Sequence, residues 1–225
     1  MPAFDRNLIP AEPDLSFERA LWKAGLTRVA GIDEAGRGAL AGPVATAAVI
    51  LPPDEELAGW MRGVRDSKQL SAAQREAARG VIVQFAVCWG VGFASAWEID
   101  RMGILPATRL AAGRALQKLA QAPMHILLDY LFLPEVEIPQ TALVKGDCRS
   151  LSIAAASILA KTDRDAQMRQ LDLLYPGYGF SEHKGYGTLQ HRSALLQLGV
   201  CPEHRLSFAL YSQDDLPGDT SDVEI

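Results

Sequence analysis

A mixed α/β domain is the fold class this 225-residue sequence predicts, and three observations predict it. Two short runs rich in Val, Ile and Ala have strand length and come early. Longer stretches follow with apolar residues at helical spacing. The order, strands first and then helix, strand and more helices, does not alternate strictly as a doubly wound parallel sheet would. Hydrophobic residues make up 48% of the chain, enough for a core without a disulfide or a structural metal.

The elements are read in order. Residues 1–14 contain prolines and little pattern and suggest a loose arm, after which Phe17, Ala20, Leu21 and Trp22 mark a short amphipathic helix over Ser16–Ala24. Strands are predicted at Val29–Asp33 and Val44–Leu51, joined by a glycine-rich turn and stopped by Pro52-Pro53. Ser71 is a suitable N-cap for the helix-favouring stretch behind it. Val81–Ala94, rich in Val, Phe and Trp, reads as a third strand. Ile104–Ala120 carries Leu105, Leu110, Leu116 and Leu119 among basic residues and predicts a helix that Pro123 closes. His125–Asp129 and Thr141–Lys145 read as short strands, Ser152–Leu173 as a long helix buried over its first half, and Leu189–Leu198 as the last helix. The domain reading is an arm with a helix over 1–28, one body over 29–211, and an acidic disordered tail over 212–225.

That tail explains the charge. It holds Asp214, Asp215, Asp219, Asp222 and Glu224 and no Lys or Arg, which leaves 22 acids against 22 bases in the rest of the chain. A neutral body can still carry a local basic groove, so the net charge of −5 does not exclude nucleic acid. The longest apolar run, Ala39–Leu51, is too short for a membrane span and contains Gly and Pro. No signal peptide is visible, and Cys88, Cys148 and Cys201 form no CxxC pair; reduced thiols in a cytoplasm are expected.

Acids at strand ends carry the chemistry. Asp33 and Glu34 close the first strand, Asp129 closes another, and Asp147 follows a third after Lys145-Gly146. Oxygen donors without imidazole or thiolate suit Mg²⁺ or Mn²⁺. Clustered carboxylates raise one another's pKa unless cations sit between them, and two ions in such a site can activate water against a phosphodiester. Adjacent side chains on a strand point to opposite faces, so Asp33 and Glu34 serve one site only if the strand bends or ends there. Gly36-Arg37-Gly38 supplies that freedom and an arginine that attracts phosphate. Cys201-Pro-Glu-His204 has the spacing of half a zinc site, but the other half is missing, and it is read as structural. His183 and His191 are read as hydrogen-bonding residues. Asp163 and Asp165, on the long helix with Arg164 and Lys161, are read as surface or helix-pairing charges, and Trp60, Trp89 and Trp97 as core or edge aromatics.

Asp33-Glu-Ala-Gly-Arg-Gly38 with Leu40-Ala-Gly-Pro-Val44 resembles the signature of the type 2 ribonucleases H. Five further blocks match in order: Asp66-Ser-Lys-Gln-Leu-Ser71, Lys145-Gly-Asp147, Ser152 to Lys161 with Arg164-Asp165, His183-Lys-Gly-Tyr-Gly-Thr188, and His204-Arg-Leu-Ser-Phe208. The resemblance spans Val29 to Phe208. It implies a ribonuclease H-like fold, a central mixed sheet flanked by helices with a helical C-terminal region. It also implies a metal set of Asp33, Glu34, Asp129 and Asp147 holding two Mn²⁺ or Mg²⁺ ions. The implied activity is hydrolysis of the RNA strand of RNA–DNA hybrids and incision 5′ of ribonucleotides in duplex DNA, leaving 3′-OH and 5′-phosphate ends. Gly36, Arg37 and Gly38 match the backbone that senses the 2′-OH, the group that separates RNA from DNA. Tyr186 matches a tyrosine packed on the sugar at the DNA side, and Lys68 a lysine near the phosphates. Two departures stand out: Tyr130 where Gly often follows the third acid, and Cys148-Arg149 where Ser-Lys is common.

The expected partners are RNA–DNA hybrids and ribonucleotide-containing DNA, with no membrane, a monomeric chain and a role in replication and repair. Three rival readings are weaker. Type 3 ribonucleases H carry a long N-terminal domain that has no counterpart in the 28 residues before Val29. A hybrid-binding protein without turnover would set four carboxylates against a polyanion. A docking protein acting through the acidic tail would rest on a charge block of a solvated kind.

Overall fold

The computed structural model describes residues 9–54 and 56–211. The acidic tail and residues 1–8 of the arm lie outside the described residues. Eight helices and five strands are described: α1 Ser16–Lys23, β1 Val29–Ala35, β2 Val44–Ile50, α2 Leu57–Trp60, α3 Ala72–Phe85, β3 Cys88–Ala94, α4 Ala96–Met102, α5 Ile104–Gln117, β4 His125–Asp129, β5 Gln140–Leu143, α6 Leu151–Leu174, α7 Phe180–His183 and α8 Leu189–Leu198. The strands form one mixed sheet in the order β3-β2-β1-β4-β5, antiparallel across β3-β2-β1 and parallel across β1-β4-β5. This is the mixed sheet flanked by helices that the sequence predicts.

Both faces of the sheet are covered, which is why β2 is buried along its whole length instead of alternating. On one face Ala45, Ala47, Val49 and Leu51 pack against Ala154, Ala155 and Ile158 of α6 and against Ala78 and Ile82 of α3. On the other, Ile32, Ile126 and Leu128 meet Ala112 and Ala115 of α5. A fully buried Leu or Ile contributes about 1.5–3 kcal/mol. Close approach of α6 to the sheet depends on Gly31: a Cβ there would lie 2.2 Å from the backbone carbon of Ser152.

α1 docks through Phe17, Leu21 and Trp22 beside Val29, Leu127 and Ile153. Its Glu18 is fully buried and accepts hydrogen bonds from Ser150 Oγ (2.6 Å), Ser152 N (2.9 Å) and Ser152 Oγ (2.6 Å). The carboxyl thus sits at the N-terminal end of α6, where a helix favours negative charge. Among the described residues no helix is long and apolar enough to cross a membrane.

One predicted element is corrected. Val81–Ala94 is not a single strand; residues 72–85 are helical and the strand begins at Cys88. Ser71 and Gln74 form a reciprocal capping box that starts α3, and Ala78 and Ile82, one turn apart, bury against α6, so packing overrides the β-branched composition of 81–83. The sequence reading also omitted α4, which Ser95 and Glu98 cap in the same way.

Candidate active site

The site lies where pairing between the two parallel strands stops. β1 and β4 are in register only as far as Ile32 opposite Leu128, whereas on its other edge β1 stays paired with β2 through Ala35. Asp33 and Asp129 are the first residues beyond the last β1–β4 pair, so both carboxylates sit in the gap at the C-terminal end of that pair. Asp33 shares the α6-facing side of the sheet with Gly31, and Ser157 of α6 acts to lower its pKa. Glu34 points to the opposite face by strand alternation, yet its charge still acts on both Asp33 and Asp129.

Asp147 arrives by a separate route. Lys145 adopts a left-handed conformation (φ 58°), which turns the chain after β5 into a single 3-10 turn over Gly146–Cys148. Gly146 N donates to Asp129 Oδ1 at 2.8 Å and ties that turn to the end of β4. Asp33 and Asp147 are buried. Tyr130, where a glycine would be at ease, also adopts a left-handed conformation (φ 58°), and its N–H donates to Leu143 O at 3.0 Å. The turn after the third acid therefore survives the departure noted in the sequence.

Electrostatics follow from this crowding. Burial, then the charges of Glu34, Asp129 and Asp147, push Asp33 well above the usual carboxylate range. Asp129 is pushed up to about 6, by burial first and by Asp147 next. Lys68 is the counter-charge: its Nζ lies 3.4 Å from Asp147 Oδ2 and 3.7 Å from Asp66 Oδ1. Burial disfavours its charge, but Asp66, Asp147 and Asp33 outweigh that and raise its pKa.

Asp66 opens one of the matched sequence blocks but is given no role in the site from sequence. Its Oδ1 caps the short turn at Ser67–Gln69 through Lys68 N. Asp66, Asp147 and Cys148 place donor atoms within 4.8 Å of one another, and no three of the four predicted acids do so. Like charges without an intervening cation stand apart, and Lys68 with Arg37 does not neutralise four carboxylates. The donor set, all oxygen apart from the Cys148 sulfur, fits a hard divalent cation. Burial and Asp147 push the Cys148 thiol up to about 11, and a hard cation has little use for its sulfur.

Two loops flank the acids. Gly36 has φ +90°, and a Cβ on it would fall 1.9 Å from Arg164 Nε; a Cβ on Gly38 would meet nothing within 4 Å. Arg37 is partly exposed and pairs with Glu34 Oε1 at 3.0 Å. Tyr186, on the Gly185–Gly187 loop, presents its ring to the cations of Arg164 (5.6 Å) and Lys161 (5.7 Å).

Arg164 joins the two loops. It is fully buried and donates to Pro43 O (2.8 Å), Lys184 O (3.0 Å) and Ala41 O (3.2 Å), joining the loop after Gly38 to the loop before Tyr186. Arg205, also fully buried, donates to Gly42 O and Arg37 O, both at 2.9 Å. Asp163 and Asp165 do pair helices, with Arg79 and Arg75 of α3, but Asp165 is buried. The half zinc site is structural, because Cys201 N donates to His204 Nδ1 at 2.9 Å.

The sequence comparisons point to one family. The sequence model of "Ribonuclease HII" matches residues 30–211. A ribonuclease HII of Anaeromyxobacter sp. is 54% identical over 194 residues, covering 86% of this chain but 60% of that protein's length. One from Geobacillus thermodenitrificans is 51% identical over 195 residues, covering 87% of this chain and 73% of the relative. Among solved structures, the ribonuclease H2 of Pyrococcus horikoshii superposes with a TM-score of 0.67 at 27% identity, covering 81% of this chain and 94% of the other.

Proposed function

From the premise that this chain belongs to the ribonuclease HII family, we propose that it is a metal-dependent endonuclease acting on RNA–DNA hybrids and on single ribonucleotides in duplex DNA. Cleavage on the 5′ side of the ribonucleotide would leave 3′-OH and 5′-phosphate ends. The observation that carries the reading is the convergence of Asp33, Glu34, Asp129 and Asp147 at the open end of the β1–β4 pair, with too little positive charge to balance them.

These four side chains would hold two Mn²⁺ or Mg²⁺ ions. Bound there, the ions would supply activation of water and stabilisation of the leaving oxygen. The chain's own residues do the rest. Gly36 shapes the turn, and the open space over Gly38 lets main-chain groups reach a ribose 2′-OH, which both donates and accepts. Arg37, engaged by Glu34, matters less for selectivity than the two glycines beside it. Tyr186 packs on the neighbouring sugar and favours one that lacks a 2′-OH. Lys68 holds the backbone near the acids. Residues 29–211 form the catalytic body, a monomer working in a cytoplasm.

The reading is tested on a labelled RNA–DNA hybrid with Mn²⁺ or Mg²⁺. Asp33→Asn and Asp129→Asn are each expected to abolish cleavage while hybrid binding persists. Wild-type turnover in either variant would overturn the assignment. Wild-type protein that binds the hybrid and never cuts it would indicate a binding protein instead.

A further inference from the structure

Behind the Tyr186 loop lie three buried histidines that the proposed chemistry does not use: His183, His191 and His204. The rings of His183 and His191 stack at 4.4 Å, and Phe180 meets both edge-on. All six ring nitrogens have a partner. His183 Nδ1 faces the Gly185 N–H at 3.1 Å and its Nε2 faces Tyr178 O at 2.8 Å. His191 Nδ1 faces Tyr186 O at 3.0 Å, and its Nε2 lies 3.1 Å from His204 Nε2. His204 Nδ1 faces the Cys201 N–H at 2.9 Å, with a longer 3.3 Å approach to Cys201 O.

Main-chain N–H groups only donate and carbonyls only accept, so these partners assign every proton. Gly185 and Tyr178 make His183 protonated at Nε2. Tyr186 O makes His191 protonated at Nδ1, leaving its Nε2 to accept. Cys201 N makes His204 protonated at Nε2, which then donates to His191 Nε2. One pattern satisfies all six nitrogens, and all three rings are neutral in it. A proton added to His183 or His191 would face another N–H at hydrogen-bond distance, and one added to His204 Nδ1 would face the Cys201 N–H at 2.9 Å with Cys201 O only at the longer 3.3 Å.

Two of these bonds end on the backbone of Gly185 and Tyr186. We propose that the His183–His191–His204 network is a positioning device that holds the Tyr186 loop in register with the Gly36–Gly38 turn, and that it does so only while all three rings are neutral. The inference rests on the reading of Tyr186 as the residue that meets the sugar on the DNA side.

The surroundings support the neutral state. Burial lowers the pKa of all three rings, that of His191 to about 4. Asp172 of α6 and Glu182 of α7 favour a charge on His183, and Lys184 opposes it. Cys201 and Glu203, on the segment carrying His204, are themselves held toward their neutral forms by burial.

The test has a spectroscopic arm and a kinetic arm. Long-range ¹H–¹⁵N correlation of the imidazoles at neutral pH should show Nε2–H for His183 and His204 and Nδ1–H for His191; any other tautomer, or an imidazolium, overturns the network. The kinetic readout is the ratio of kcat/KM on a single-ribonucleotide duplex to that on a continuous RNA–DNA hybrid. This ratio cancels losses common to both substrates, such as proton competition at the acids. His191→Leu is expected to lower it roughly tenfold or more, since small misplacements of a positioning group carry losses of that size. His191→Asn, whose amide can still donate to Tyr186 O, should recover most of the ratio, and it decides the matter if the Leu variant does not fold.

An unchanged ratio in folded His191→Leu, or an Asn variant no better than Leu, overturns the proposal. Tyr186→Ala separates the two readings. If it leaves the ratio intact, the sugar-packing role fails; if it collapses the ratio while His191→Leu does not, the network alone fails. In the wild type the ratio should fall as pH drops from about 6.5 toward 4, and a flat ratio across that window overturns the requirement for neutral rings.

Discussion

Arg164→Met isolates what the buried arginine does. The guanidinium has no exposed surface and donates to three carbonyls, those of Ala41, Pro43 and Lys184. Methionine fills much of the volume but offers no donor. A buried acceptor left without its donor costs about 1–3 kcal/mol, which puts the gross loss near 3–6 kcal/mol at the lower end of that range. Relief of the buried charge, whose burial lowers the pKa of Arg164, offsets part of this. A net loss of about 3 kcal/mol corresponds to a fall in Tm of roughly 6–12 °C for a body of this size. Thermal unfolding followed by circular dichroism measures it. The same carbonyls belong to the loops on either side of the site, so cleavage of the single-ribonucleotide duplex should fall as well. A Tm within about 2 °C of wild type, with cleavage unchanged, would refute the reasoning.

Three further outcomes are expected. Gly36→Ala should both destabilise and inactivate, because its φ of +90° and the 1.9 Å approach to Arg164 leave no place for a methyl group, whereas Gly38→Ala should unfold at the wild-type temperature and still lose cleavage; matched melting curves and rates separate the two. Asp129→Asn should stabilise the metal-free protein at pH 8: the Asp129 pKa is raised to about 6, so its favourable contribution is present at acid pH and is lost as pH rises through 6, and the amide carries no such loss. A metal-free Asp129→Asn protein melting below wild type at pH 8 would contradict this. Mn²⁺ at about 100 times its Kd should raise wild-type stability by about 2.7 kcal/mol and raise that of Asp129→Asn by clearly less, as measured by thermal shift.

Legibility in the sequence divides along physical lines. β4 at His125–Asp129 and α8 at Leu189–Leu198 were placed to the residue, since short apolar runs and capped helices are local signals. α3 was cut short because Val81, Ile82 and Val83 favour strands, and only the packing of Ala78 and Ile82 against α6 decides for the helix. The four acids were legible as strand-end carboxylates, but Asp66 beside Asp147 depends on a contact across 81 positions of sequence. Arg164 and Arg205 were the hardest to place. A charged side chain on a helix or loop looks solvated until the carbonyls of distant loops close around it, and no local pattern encodes those partners.

The most direct measurement maps the ends produced from a duplex with one ribonucleotide, with Mn²⁺ or Mg²⁺ present and again in excess chelator. The account predicts one incision 5′ of the ribonucleotide, with 3′-OH and 5′-phosphate ends, no product in chelator, and no cutting of the all-DNA duplex. Cleavage that persists in chelator, or an all-DNA duplex cut equally well, would contradict it.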